Sequence, residues 1–143
     1  MKTARFEKKA ERVLSVVGNP FRIRILLAIG KGEACVCHLE AVLKKRQAYI
    51  SQHLMALRKA GLLDTRREGK YVFYRVADLG VFDLVRKAGE LAGVEAAQLP
   101  ELTDPEISPH CCCPNCEGGG VIASSEIAVS SSSIQELLRR KRK

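Results

Sequence analysis

Apolar residues recur at helical spacing from the start of the chain. Phe6, Ala10, Val13, Leu14 and Val17 predict a first helix over residues 4–17. Gly18-Asn19-Pro20 ends it and opens the next, because Asn19 suits an N-cap and Pro20 the first helical position. Phe21, Ile23, Ile25, Leu26, Leu27 and Ile29 make the second helix largely buried, with its end at Gly30 or Gly32. Val36, Leu39, Ala41, Val42 and Leu43 give a short third helix, closed by the basic turn Lys44-Lys45-Arg46. A fourth runs from about Gln47 to Ala60, where Gly61 serves as the C-terminal cap. Ile50, Leu54 and Leu57 form one apolar stripe on it, and Ala48, Ser51, Gln52, Met55 and Lys59 lie opposite.

The period then changes from helix to strand. Leu63-Asp64-Thr65-Arg66-Arg67 and Tyr71-Val72-Phe73-Tyr74-Arg75-Val76 read as two strands, turning at Glu68-Gly69-Lys70. Leu79, Phe82, Leu84, Val85, Ala88 and Leu91 mark a last helix over 79–93. Beyond Gly93, Pro100, Pro105, Pro109, Pro114, a Gly118–Gly120 run and Ser130–Ser133 argue for an irregular tail. The fold class is therefore mostly α with a small β-hairpin. Residues 1–93 form one domain, and 94–143 form a flexible, Cys-rich and finally basic C-terminal tail.

Two helices joined by a tight turn, then a basic two-stranded hairpin, spell a winged helix-turn-helix. Charge sharpens this reading. The net charge of +8 hides a segregation: residues 1–76 carry +11, residues 77–138 carry −8, and Arg139 to Lys143 add +5. A basic block at the helix-turn-helix points to a polyanion partner, which a merely solvated surface would not predict. The polar face of the fourth helix suits a major groove, where large apolar groups would be stranded in water. Gln47, Ser51 and Gln52 can hydrogen-bond base edges. Arg66, Arg67 and Lys70 on the hairpin suit phosphate or minor-groove contact. His53 falls beside the apolar stripe and reads as a packed, hydrogen-bonded structural residue.

Three stretches resemble the ArsR/SmtB family of metal-responsive repressors. They are Gly18-Asn19-Pro20-Phe21-Arg22-Ile23-Arg24-Ile25-Leu26, the recognition helix from Gln47 to Leu63, and the wing Arg67-Glu68-Gly69-Lys70-Tyr71-Val72-Phe73-Tyr74-Arg75. The resemblance covers about residues 6–93 and leaves the tail outside. It implies a homodimer joined through its first and last helices, bound to an inverted repeat in double-stranded operator DNA. It also assigns base reading to Ser51 and Gln52, with Gln47 at the helix start.

The six cysteines fall in two clusters, Cys35/Cys37 and Cys111/Cys112/Cys113/Cys116. Tight clusters in a cytoplasmic chain, the location expected here, suggest metal or redox chemistry before structural disulfides. On a regular helix Cys35 and Cys37 point about 200° apart, so a shared ion requires a distorted helix start. Ala34-Cys35-Val36-Cys37-His38-Leu39 resembles the Cys-Val-Cys box of the family's arsenic, cadmium and lead sensors. The arsenite pattern places a third cysteine one turn after Cys37, but Glu40 stands there. The missing ligands must come from elsewhere, and the tail is the only supply. Similar cadmium and lead sensors complete this site from an N-terminal arm; residues 1–34 hold no cysteine, so here the C-terminal arm takes that part. From Gly93 to Cys111 a flexible coil spans about 25 Å, enough to cross a small domain.

The expected effector is therefore a thiophilic ion, arsenite, cadmium or lead, with zinc ranked below them. The family's other site, a zinc centre on the last helix, is absent: Asp78 matches its first position, but Gly80, Leu91 and Val94 fill the rest. One rival keeps the repressor but makes the thiols a redox sensor. A second is a metal-handling protein without a DNA role, which the +11 half argues against. A third leaves the tail thiols inert, or holding a metal of their own. No nucleophile–base–orienter set, phosphate loop or paired acids suggest an enzyme. No run reaches the roughly 18 apolar residues of a membrane helix.

Overall fold

The computed structural model describes residues 2–105, 111 and 113–116. The elements run α1 (Lys2–Val17), α2 (Pro20–Ile29), β1 (Glu33–Cys35), α3 (Val36–Leu43), α4 (Gln47–Lys59), β2 (Leu63–Glu68), β3 (Tyr71–Val76) and α5 (Gly80–Leu91), with a 3-10 turn at Ala96–Gln98. This is a mostly helical winged helix-turn-helix with a small antiparallel sheet, ordered β1-β3-β2. No helix among the described residues is long and apolar enough to cross a membrane.

Local chemistry sets the element ends. The Asn19 side chain accepts hydrogen bonds from the backbone N–H groups of Phe21 (2.9 Å) and Arg22 (3.2 Å). Those donors would otherwise have no partner, and Pro20 at the helix start has none to lose. At the end of α4, Gly61 takes φ 79°. Its N–H donates to Arg58 O, and that of Leu62 to Leu57 O, which pairs off the last carbonyls. Ile50, Leu54 and Leu57 are fully buried in a core shared with Ile25, Leu26, Ile29 and Leu39. That core holds α4 at a fixed angle on the body. Truncating one such leucine to alanine costs roughly 2–5 kcal/mol.

Three features depart from the sequence expectations. A short strand, β1, pairs along β3 in the register Glu33↔Arg75, Ala34↔Tyr74 and Cys35↔Phe73. Cys35 therefore ends a strand and caps α3 instead of lying within it. The helix begins at Val36, so the 200° separation expected for two cysteines on one helix does not arise. Second, β2 extends through Glu68, and the wing turns on Gly69-Lys70 alone. Third, residues 94–105 do not stand apart from the body. Leu99 is buried, Leu102 packs on the core, and the Lys31 N–H donates to Thr103 O at 3.1 Å. Gly30 makes this crossing possible: a Cβ there would lie 1.9 Å from Thr103 O. Asp104 and Pro105 thus lie beside β1 and α3. Pro109 and His110, Cys112, the glycine and serine runs and the basic end lie outside the described residues.

Candidate metal centre and nucleic-acid interface

The strand-to-helix junction at β1/α3 builds one wall of a thiol pocket. Cys35 has extended φ/ψ angles, and its Sγ accepts the His38 N–H at 3.3 Å, so the thiol serves as the N-cap of α3. Three residues on, the His38 side chain lies on the same side of the first turn and is 3% exposed. The opposite wall is the arm. Cys111 Sγ lies 3.4 Å from Cys35 Sγ, and Cys116 Sγ lies 3.3 Å from His38 Nδ1. A helical turn over 114–116 brings Cys116 back toward Cys113, with its N–H on Cys113 O at 2.9 Å. Phe73 of β3 is fully buried and packs with Cys35, Cys111, Cys113 and Cys116 as a separate small core. A cavity of about 280 Å³ opens beside these thiols.

Two ligand groups result among the described residues, each with its donor atoms within 4.8 Å of one another: Cys35, Cys111 and Cys113; and His38, Cys111 and Cys116. All of these side chains are buried and come from one chain. Burial pushes the Cys35 thiol up to about 11, despite the His38 N–H that favours the thiolate. It also raises Cys111, where the Cys113 backbone N–H opposes the effect and the Cys35 thiol adds to it. For Cys113, burial acts upward too, but hydrogen bonds from the Cys116 backbone and the neighbouring thiols outweigh it, so that thiol sits below its ordinary value. Burial lowers His38 and favours a neutral ring with a free nitrogen. Soft sulfur with one neutral imidazole is a donor set that thiophilic and zinc-like ions accept.

Of the cysteines singled out from the sequence, the fold thus gathers Cys35, Cys111, Cys113 and Cys116. Cys37 is exposed and belongs to neither group. Cys112 lies outside the described residues. His38 was missed; its signal was the spacing from Cys35, which puts the two on one side of a helix start.

The base-reading candidates lie as the helical pattern requires. Gln47 and Gln52 are exposed and Ser51 is half-buried on α4. His53 packs against the rings of Phe21 and Tyr49, and its Nδ1 accepts from Arg22 Nε at 3.2 Å. It is a structural residue, as its place beside the stripe suggested. Arg67 and Lys70 stand exposed on the wing. Arg66 is engaged elsewhere. Its guanidinium bonds to both carboxylate oxygens of Glu33 and to Glu68 at 2.9 Å, and it covers the Phe73 ring at 4.6 Å. The Arg66 hydrogen bond holds the Glu33 carboxyl below its usual value. Asn115 Nδ2 donates to the same carboxylate at 3.3 Å.

The model of the bacterial regulatory protein arsR family matches residues 19–65, from the α2 N-cap through α4 into β2. An uncharacterized HTH-type transcriptional regulator of Methanocaldococcus jannaschii is 39% identical over 61% of this chain and 98% of its own length. The arsenic resistance transcriptional regulator ArsR1 of Pseudomonas putida is 34% identical over 70% of this chain and 84% of its own. A homodimeric winged helix-turn-helix DNA-binding domain from Mycobacterium bovis superposes with a TM-score of 0.58 at 28% identity, over 64% of this chain and 85% of that one. Two of these relatives are transcriptional regulators and the third is a DNA-binding domain, which supports a regulatory, non-enzymatic role for the chain. It belongs to the ArsR/SmtB family of metal-responsive winged helix-turn-helix transcriptional regulators.

Proposed function

We propose that the protein is a homodimeric repressor that holds an inverted-repeat operator and releases it when a thiophilic ion enters the Cys35/Cys111/Cys113/Cys116 pocket. One observation carries the reading: the arm cysteines meet Cys35 at the N-cap of α3, the helix packed directly beneath α4. An ion drawing those thiolates together pulls on that cap. A coupling of a few kcal/mol suffices, since about 1.4 kcal/mol is tenfold in affinity. Dimerisation is supported by the exposed apolar residues Phe6 and Leu14 on α1 and Leu91 on α5, and by the homodimeric M. bovis relative. The site residues proposed for DNA are Gln47, Ser51 and Gln52 on α4, with Arg67 and Lys70 on the wing; Arg66 can join them only by letting go of Glu33.

Arsenite, cadmium and lead are the ions that three thiolates favour. Cadmium(II) or lead(II) must displace the proton of the raised Cys35 thiol, so their affinity rises as pH rises from neutrality, whereas arsenite, entering as As(OH)3, carries the thiol protons away in the water it releases. The test is operator binding by the reduced full chain, titrated with arsenite, cadmium(II) and lead(II) in turn. Release by at least one of them, lost in Cys35→Ser, supports the reading. The 3.4 Å approach of the Cys35 and Cys111 sulfurs favours one rival, oxidation of that pair to a disulfide. Release by peroxide with no response to any ion would establish the rival instead.

A further inference from the structure

Among the described residues His38 is the buried polar side chain of the core, and its surroundings explain why it is tolerated. Its backbone N–H is tied to Cys35 Sγ and its Nδ1 to Cys116 Sγ. With Cys111 and Cys116 it forms the second of the two ligand groups, and Cys111 is the thiol common to both. The pocket is thus not one nest of sulfurs. One corner, Cys35/Cys111/Cys113, offers sulfur alone. The other, His38/Cys111/Cys116, offers two sulfurs and an imidazole nitrogen.

These corners suit different ions. Three thiolates satisfy a three-coordinate ion such as arsenite or lead, which gains nothing from an imidazole. A mixed set of cysteine and histidine is the tetrahedral environment that zinc(II) favours, and cadmium(II), of the same charge and shell type, accepts it. Resting on the effector reading above, we propose that His38 is a metal ligand. With Cys111, Cys116 and a thiolate of the adjoining Cys35/Cys113 pair, it forms a four-coordinate sulfur–nitrogen site for a zinc-class dication. Because Cys111 belongs to both corners, a zinc-class ion and arsenite exclude one another. The histidine sets the discrimination between them. Zinc, which cysteine counting ranks last, becomes a ligand the pocket holds in its own right.

The test uses the reduced full chain with zinc(II), cadmium(II) and arsenite as probes. X-ray absorption at the zinc edge should find one nitrogen and three sulfurs around the ion, and added arsenite should displace it in proportion to arsenite bound. His38→Gln should lower zinc(II) and cadmium(II) affinity about tenfold or more while leaving arsenite affinity within about twofold. An all-sulfur zinc shell in the unaltered protein overturns the proposal, and that measurement needs no variant to fold. So does equal loss of zinc and arsenite in His38→Gln, which would reduce His38 to a packing residue. So does failure of zinc to bind while arsenite still releases the operator, an outcome that leaves the effector reading standing. The effector reading itself fails if Cys35→Ser and Cys111→Ser keep a normal arsenite response.

Discussion

The reading surface and the thiol pocket are built on opposite plans. The surface of α4 and the wing comes from one stretch of chain, residues 47–76, and its polar groups stand in solvent. The pocket draws on three separate stretches: the β1/α3 junction, Phe73 of β3 and the arm at 111–116. Its donors are buried, and two of its thiols are held in the protonated form. The difference follows from what each must meet. A hydrated groove is met by groups already in water, positioned from behind by a rigid core. An ion must be stripped of its water and gripped from several sides, which one helix cannot do.

The two regions touch at Glu33. Arg66 of the wing and Asn115 of the arm share its carboxylate, and the Arg66 guanidinium lies over the ring that backs the thiols. A side chain suited to phosphate is thereby held against the pocket's outer edge. The comparison predicts that pocket variants silence the ion response and spare DNA binding, with reading-surface variants doing the reverse.

The largest effect should come from Cys111→Ser, because that thiol belongs to both ligand groups. Its removal leaves neither corner with three donors. Ion affinity should fall by more than about 100-fold, since removing a ligand atom costs more than disturbing a residue that only orients one. Operator affinity without ion should stay within about twofold. Isothermal titration with arsenite and cadmium(II), beside an operator gel shift, checks both halves. A matching drop in DNA affinity would mean that the pocket also holds the reading head in shape.

Next come Ser51→Ala and Gln52→Ala. On the proposed assignment each removes hydrogen bonds to a base edge and should reduce discrimination between operator and random DNA by about 1–3 kcal/mol, with ion affinity unchanged. Anisotropy titrations against operator and scrambled duplexes measure the difference. Unchanged discrimination in both would move base reading off this face of α4.

Glu33→Gln tests the junction. The one ion pair it loses, with Arg66, lies at the solvent edge, so stability should change little. Arg66, relieved of one carboxylate, becomes available to phosphate. Binding to all DNA sequences should strengthen a few-fold, and the salt dependence should steepen by about one neutralised phosphate. A salt slope that does not move would leave Arg66 a structural cover for Phe73.

How much of this was written in the sequence depends on the range of the interactions involved. The α4 stripe, the Asn19-Pro20 start and the Gly61 stop involve residues within a few positions of one another, and pattern alone found them. β1 escaped because Glu33-Ala34-Cys35 is too short to show a period, and its partner on β3 lies 38 or more positions away. The pocket joins Cys35 to Cys111 across 76 residues. A count of missing ligands pointed to the arm, but not to which thiols would meet. The docking of 94–105 hangs on Leu99, Leu102 and a bare Gly30, weak signals among prolines.

The smallest expected effect is the one that most directly opposes cysteine counting. Cys37 shares the Cys-Val-Cys spacing with Cys35, and on sequence the two read as a pair. The fold separates them, because the strand ends at Cys35 and the helix starts at Val36. Cys35 Sγ turns inward as the cap, while Cys37 sits exposed on the first turn and joins neither ligand group. Cys37→Ser should therefore leave ion affinity, operator affinity and thermal stability all nearly unchanged, stability within about 0.5 kcal/mol as for most surface substitutions. Cys35→Ser should cost the ion response. Comparing the two serine variants in the same operator-release titration isolates the effect of two positions along the chain. If Cys37→Ser loses the response as fully as Cys35→Ser, the ion-bound state must unwind the first turn of α3 to bring Cys37 inward.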